Sequence, residues 1–328
     1  MNSIKIISSG IYLPEPILSS ELEKQHGISL GWSEKYSGVK KRHHATFESN
    51  GYMGARAIEE ALLNSELNLG DIDLIVSAGG TFDYIIPNQS SVIKSELKDG
   101  NKYNISTLDI DTTCLSFVTG LEIVSKLLDG KQYKNIILVS SEISSNGLNP
   151  KNHETLTLFG DAAAAFVLTC YDSQDSHFIK GMTKTFSEGV FHTVIEAGGN
   201  KNWFRENPYN VEQYSFKMEG IHLLKLAKNN LVDFIEEFFK DLPYSIDDVD
   251  IIVPHQASKI GLLLFKQMFP EKKHCVKENL SEFGNCIAAS IPLLLHQSIE
   301  GKEIKRGQIC LLLGTSAGFS IGASLFQY

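Results

Sequence analysis

Two kinds of apolar spacing alternate along this chain. Short β-branched runs such as Ile72-Asp73-Leu74-Ile75-Val76 and Asn135-Ile136-Ile137-Leu138-Val139 read as buried strands. Between them lie segments with apolar residues at helical spacing, at 51–66, 114–129, 218–240, 257–268 and 285–299. Continuous apolar strands bracketed by helices predict an α/β fold whose strands are covered on both faces. One junction is abrupt: Leu108-Asp109-Ile110-Asp111 alternates like a strand, and after Thr112-Thr113-Cys114 come Val118, Leu121, Val124, Leu127 and Leu128 at helical spacing. Cys114 therefore stands at a helix N-terminus.

The pattern repeats at a period of about 175 residues, in three paired segments that fall in the same order. Ile72–Ala78 resembles Val249–His255 at an offset of 177, Asn135–Ser141 resembles Gln308–Gly314 at 173, and the helix start at Cys114 pairs with that at Asn285 at 171. Two βαβ-containing halves are expected, 1–170 carrying the cysteine and 171–328 carrying a histidine and an asparagine, with the polar stretch 171–176 as their boundary. In a duplicated fold the equivalent helix starts meet at the pseudo-twofold axis, which would bring Cys114 and Asn285 together.

Composition narrows the functional classes. A formal charge of −9 argues against nucleic acid and anionic membrane as general partners, while leaving room for a local basic patch. No run approaches the roughly 18 apolar residues of a membrane span, and the start Met1-Asn2-Ser3-Ile4-Lys5-Ile6 lacks a basic region followed by an apolar one, so the chain is read as cytoplasmic. Its five cysteines are spread out without a C-x-x-C pair, which points to neither a disulfide framework nor a zinc site; Cys170, Cys275, Cys286 and Cys310 are read as packing residues. The histidines at 26, 43, 44, 153, 177, 192, 222, 274 and 296 show no spacing that would assemble a metal site and are read as surface or packing residues.

Three residues carry chemistry. A thiol at a helix start meets partial positive charge and unpaired N–H groups, which favour the thiolate and can hold a developing oxyanion. Pro254-His255-Gln256-Ala257 ends a buried strand, and Phe283-Gly284-Asn285 opens another apolar helix. Cys114, His255 and Asn285 form a constellation at element ends. Asp109 and Asp111, flanking the strand before Cys114, are read as structural.

With these motifs in order, the chain resembles the thiolase superfamily, and specifically β-ketoacyl-[acyl-carrier-protein] synthase III and its relatives. The likeness runs from Ile6–Pro14 and Ser37-Gly38-Val39-Lys40-Lys41-Arg42 through the Cys114 segment, Phe159-Gly160-Asp161-Ala162, Met218-Glu219-Gly220 with Lys225, and the His255 and Asn285 motifs to Gly314-Thr315-Ser316-Ala317-Gly318-Phe319. It implies a five-layered αβαβα fold. It also implies decarboxylative Claisen condensation, with Cys114 as the acyl-carrying nucleophile and the backbone N–H groups of Cys114 and Ala317 as the oxyanion hole. His255 and Asn285 would stabilise the enolate of a malonyl-type extender. No metal, nucleotide or flavin is implied, the substrates being thioesters of coenzyme A or of carrier-protein phosphopantetheine.

The same resemblance implies a homodimer in which Ile86 walls the partner's acyl pocket, and an adenine-stacking role for Trp32. It also shows departures. Tyr36 stands where the family has an arginine beside that tryptophan, and no arginine occurs between Asn149 and Phe159 for a phosphate contact. Ile260 replaces a docking arginine, leaving Lys225, Lys228 and Lys259 as the candidate cationic patch for an acyl carrier protein. Ser258 replaces an asparagine, and Ala317 a glycine. Lys201-Asn202-Trp203-Phe204-Arg205 is read as a solvated insertion with a possible ligand contact. Three further readings stand beside condensation: acyl transfer to a hydroxyl or amine on the same fold, a Cys-His-Asn hydrolase, and a non-catalytic partner subunit.

Overall fold

Alternate residues of one strand serve two cores. In β4 (Asn135–Glu142), Ile136 and Leu138 pack on one side with Leu121 and Val124, whereas Ile137 and Val139 pack on the other with Ile58 and Ala61. A strand buried on both faces needs no polar alternation, which is why its sequence reads as one apolar run. The computed structural model of the chain describes residues 4–171, 176–203 and 210–328. Most of the boundary stretch, residues 172–175, and Phe204 and Arg205 lie outside the described residues.

The first sheet is formed by β1 (Ile4–Tyr12), β2 (Leu74–Ala78), β3 (Ser106–Ile110), β4 and β5 (Ala162–Cys170), in the order β1-β5-β4-β2-β3. The second contains β6 (His177–Thr185), β7 (Ile251–Pro254), β8 (Ile309–Ser316) and β9 (Ser320–Gln327), in the order β6-β9-β8-β7. Corresponding neighbours pair in the same sense, parallel for β4–β2 and β8–β7 and antiparallel elsewhere along the shared order. The counterpart of β3 is reduced to one parallel bridge, Ile252 with Val276.

Helices fill the remaining layers. α1 (Asn50–Leu63) covers the outer face of the first sheet through Met53, Ala57, Ile58 and Ala61. α2 (Ser116–Leu127) and α5 (Ser290–Glu300) lie between the sheets, where Val118, Leu121, Ile291 and Leu294 share a core with Leu138 and Phe166 on one side and Cys310, Leu312 and Phe326 on the other. α3 (Gly220–Phe239) covers the second sheet with Leu231, Phe234 and Phe238, and α4 (Lys259–Met268) adds Phe265. This is the five-layered thiolase fold.

Hydrogen bonds repeat along with the strands. Asp73 and Asn135 exchange bonds just as Asp250 and Ile309 do, and the caps Asn68/Asp71 and Ser245/Asp248 are equivalent. The bonded pairs place Asn135 opposite Ile309, one residue away from the register read from the sequence. Apolar similarity alone leaves such slips open, because Ile136–Val139 is an unbroken apolar run with no alternation to fix its register.

Close layering leaves specific positions without room for a side chain. A Cβ on Gly10 would collide with the backbone of Ala57 and Ala61, where β1 meets α1. Gly10→Ala is therefore expected to lose about 1–3 kcal/mol of unfolding free energy. Gly199→Ala, whose Cβ meets nothing within 4 Å, is expected to be nearly neutral, and urea denaturation of the two variants checks the contrast.

Candidate active site

The Cys114 turn is built by side chains that cap it. Thr113 has φ 51°, unusual for a β-branched residue, and its N–H donates to Asp111 Oδ1 at 2.8 Å. Ser116 Oγ accepts from Thr112 N–H at 2.9 Å and donates to Thr113 O at 2.7 Å. The second half repeats this turn: Ile287 has φ 49°, its N–H donates to Asn285 Oδ1 at 2.9 Å, and Ser290 Oγ accepts from Cys286 N–H at 2.9 Å. The structural equivalent of Asn285 is thus Asp111, and Cys114 corresponds to Ala288, an offset of 174 rather than 171. The two helix starts do meet, since a Cβ on Gly80 would lie 3.3 Å from Thr113 Cα and 3.5 Å from Ile287 Cγ2.

His255 follows β7 and Ala317 follows β8, both in the second sheet. A Cβ on Gly314 would sit 2.7 Å from His255 Cβ and 3.2 Å from Leu115 Cδ2, so only glycine lets the histidine strand and the cysteine turn close on β8. Thr113 Oγ1 donates to Ala317 O at 3.3 Å, and the Ala317 N–H is directed at Cys114 Sγ. The left-handed conformations of this turn fall on Gly318 and Phe319, so alanine at 317 is accommodated. Ser258 caps α4, its Oγ accepting from Gly261 N–H at 3.1 Å. Gln256 is structural: buried, it accepts from Asn279 and Leu280 N–H and donates to Pro254 O.

Asn285 is aimed by two crossing segments. Its N–H donates to Leu158 O at 2.9 Å and its carbonyl accepts from Gly160 N–H at 3.1 Å. Gly160 and Gly284 face the opposite backbone too closely for a Cβ, and Gly284 has φ 69°. With Oδ1 held by Ile287, Asn285 Nδ2 donates one hydrogen to Ala257 O at 3.2 Å. Its second hydrogen has no acceptor among the described residues and is available to a ligand. Asp161 anchors the crossing, accepting from the N–H groups of Ala45, Ser144 and Ser145.

Electrostatics correct one expectation. Burial pushes the Cys114 thiol up to about 12, and Glu142 and Asp111 add to the rise, while the backbone N–H groups of Ala317 and Cys114 pull the other way. The helix start does not prevail over desolvation, so the resting group is a thiol. Burial also drives His255 down to about 4, leaving a neutral imidazole whose Nδ1 has no partner among the described residues. Glu142 was not among the sequence candidates. It is fully buried at the end of β4, accepts from Gly80 N–H at 2.7 Å and Thr81 Oγ1 at 2.5 Å, and burial raises it to about 8. Its trace in the sequence is an acid closing the apolar run of β4.

The proposed substrate residues lie elsewhere on the surface. Trp32 packs against Tyr36, ring centroids 4.7 Å apart, and edge-on to His153. His153 also lines an open cavity of about 450 Å³ with Lys151, Asn152, Phe216 and Lys217. Lys225, Lys228 and Lys259 are exposed and make no ion pair among the described residues. The Lys259 stem lies along Gly38. Ile86 is 85 % exposed beside Tyr84 and Ile85. His192 and His222, read as surface or packing residues with no metal-site spacing, converge on Glu219, because pairing across two elements leaves no fixed sequence spacing.

Comparison with known proteins agrees with this architecture. Residues 108–187 match the family described as 3-oxoacyl-[acyl-carrier-protein (ACP)] synthase III, and residues 239–328 match its C-terminal model. A β-ketoacyl-[acyl-carrier-protein] synthase III of Aquifex aeolicus is 30 % identical over 327 residues, covering 99 % of each chain. A crystal structure of 3-oxoacyl-[acyl-carrier-protein] synthase III from Aquifex aeolicus VF5 superposes with a TM-score of 0.87 at 26 % identity, covering 99 % of this chain and 100 % of that one. The priming β-ketosynthase of the R1128 polyketide pathway shares the fold, with a TM-score of 0.89 at 21 % identity, covering 99 % of this chain and 96 % of that one. The chain belongs to the β-ketoacyl-[acyl-carrier-protein] synthase III family.

Proposed function

We propose that this chain is a decarboxylative Claisen condensing enzyme, joining an acyl group carried on Cys114 to a malonyl-type thioester in fatty-acid or specialised polyketide-like biosynthesis. The observation that carries this reading is the Asn285 amide, which keeps one N–H without an acceptor among the described residues, next to a segment holding a neutral histidine. A simple acyltransferase needs no such pair of enolate donors.

In the first half-reaction Cys114 Sγ attacks the thioester carbonyl, with the oxyanion against the N–H groups of Cys114 and Ala317. The carrier's carbon–sulfur bond breaks, and the proton of the Cys114 thiol ends on the departing thiol. In the second half-reaction the extender loses carbon dioxide, and its enolate oxygen accepts hydrogen bonds from His255 Nε2–H and Asn285 Nδ2–H. The Nε2 tautomer is favoured because a partnerless lone pair on Nδ1 costs less than a buried, partnerless N–H. The enolate carbon then attacks the Cys114 thioester, and the sulfur leaves as thiolate and takes a proton from solvent. These steps need no metal, nucleotide or flavin.

The same reading places the enzyme in the cytoplasm as a homodimer that accepts acyl groups from coenzyme A or a carrier protein. Tyr84, Ile85 and Ile86 expose apolar surface just before Gln89 and Ser90, whose N–H groups donate to Asp109 of the edge strand β3, which supports an association through that edge. Among the described residues, Trp32 is covered by Tyr36 and His153 and not flanked by an arginine, whereas Lys225 and Lys228 on α3 and Lys259 on α4 make no ion pair. This combination favours a carrier-protein primer over the coenzyme A thioester.

Four measurements test these proposals. With an acyl thioester, the adduct should map to the Cys114 peptide and vanish in Cys114→Ala. His255→Ala and Asn285→Ala should still be acylated but lose extender decarboxylation by about 10²-fold or more, and in the parent that step should stay level from pH 8 to near pH 5 because His255 protonates only around pH 4. Decarboxylation unchanged in both variants refutes the assignment. In competition at equal concentration, carrier-bound acyl groups should load faster than the coenzyme A thioester, and Lys225→Glu with Lys259→Glu should abolish that advantage at low salt. Light scattering should give twice the chain mass, shifting toward the monomer in Ile86→Asp.

A further inference from the structure

We propose that His192, Glu219 and His222 form a binding site for a divalent transition-metal ion of the zinc class, fixing the start of α3 to the ribbon that precedes it. The backbone brings the three together. Thr193–Val194 pairs antiparallel with Lys217–Met218, Met218 opposite Thr193, and Glu219 N–H continues the ladder to His192 O at 2.8 Å. His192 and Glu219 are therefore the next cross-strand pair. Glu219 also opens α3, and His222 lies three residues further on, one helical turn along the same face. His192 and Glu219 stand just beyond the paired strand residues and His222 lies in the first turn of α3, so backbone pairing holds the cluster.

The side chains already converge. His192 Nδ1 lies 2.5 Å and His222 Nδ1 2.9 Å from the same Glu219 oxygen, the two rings are 4.9 Å apart, and all three ligand atoms fall within 4.8 Å of one another. Ligands at about 2.0–2.2 Å from a zinc ion sit at mutual separations of this order. Two imidazoles and one carboxylate suit zinc, cobalt, nickel or copper, whereas magnesium and calcium favour all-oxygen sets. No lysine or arginine pairs with Glu219 among the described residues, and its two partners are both potential metal ligands. The side chains keep 28 %, 57 % and 61 % of their surface at His192, Glu219 and His222, leaving the outer coordination positions to water. In the metal-free chain, hydrogen bonds from the imidazoles to the carboxylate hold the same geometry.

None of the three residues takes part in the steps assigned to Cys114, His255 and Asn285, and the proposal does not depend on the condensing reaction. Its neighbours make its position consequential. Met218, adjoining Glu219, packs in the cluster of Val39, Leu158, Phe159 and Leu262, and Lys225 stands one turn beyond His222. A bound ion would tie this wall to the ribbon.

The test uses the full chain with Cys114→Ser, so that the catalytic thiol does not compete for metal. Titration of chelator-treated protein with Zn²⁺ and with Co²⁺, followed by calorimetry and by the visible cobalt spectrum, should show one saturable site per chain and a thermal midpoint that rises with Zn²⁺. His192→Ala and His222→Ala should each weaken binding at least tenfold, and Glu219→Gln should also weaken it, while His26→Ala should leave it unchanged. All three ligand positions are exposed enough for the variants to fold, which circular dichroism verifies. Absence of a saturable site, or affinity retained in the His192→Ala/His222→Ala double variant, overturns the proposal.

Discussion

Gly80 is squeezed between two turns, one at Thr113 and one at Ile287, and the geometry of the site follows from that contact. Each turn holds a β-branched residue at positive φ, a conformation that costs on the order of 1–3 kcal/mol and persists only where the surroundings over-determine it. The surroundings here are two helices packed between two sheets. α2 and α5 share one core, so neither helix start can relax without moving the other. The strain is spent on placing a thiol and an amide at adjoining element ends.

Much of this is legible in the sequence because function sits where elements stop. Cys114, His255 and Asn285 each follow a break in apolar spacing, and the halves announce themselves through strands that are apolar on both faces. The residue register is less legible for the same reason. Asn135 pairs structurally with Ile309, and Asn285 with Asp111; polar bonds define these matches, and a comparison of apolar runs weighs those bonds little. The state of the thiol is also hidden, since a helix start is visible in sequence but the depth of the site and the Glu142 carboxyl behind it are not.

Departures from the family pattern turn out to have local explanations. Ser258 caps the helix that carries the Lys259 stem, and the turn containing Ala317 moves its left-handed residues to Gly318 and Phe319. Tyr36 fills the space beside Trp32 with a ring. The first two substitutions preserve backbone geometry, whereas the third changes the chemistry available at the surface. Tolerance is therefore greatest where main-chain groups do the binding, and least where a charged side chain would have.

The Asp111–Asn285 equivalence has a consequence for how the two halves diverged. Both side chains use one oxygen to hold the N–H two residues ahead, and that use is indifferent to whether the other terminal atom is oxygen or nitrogen. An ancestral repeat could therefore exchange acid for amide at this position without unfolding either copy. In the second half the remaining terminal atom is a nitrogen that can donate, whereas in the first it is an oxygen that can only accept, so one prop doubles as a hydrogen donor and its twin does not.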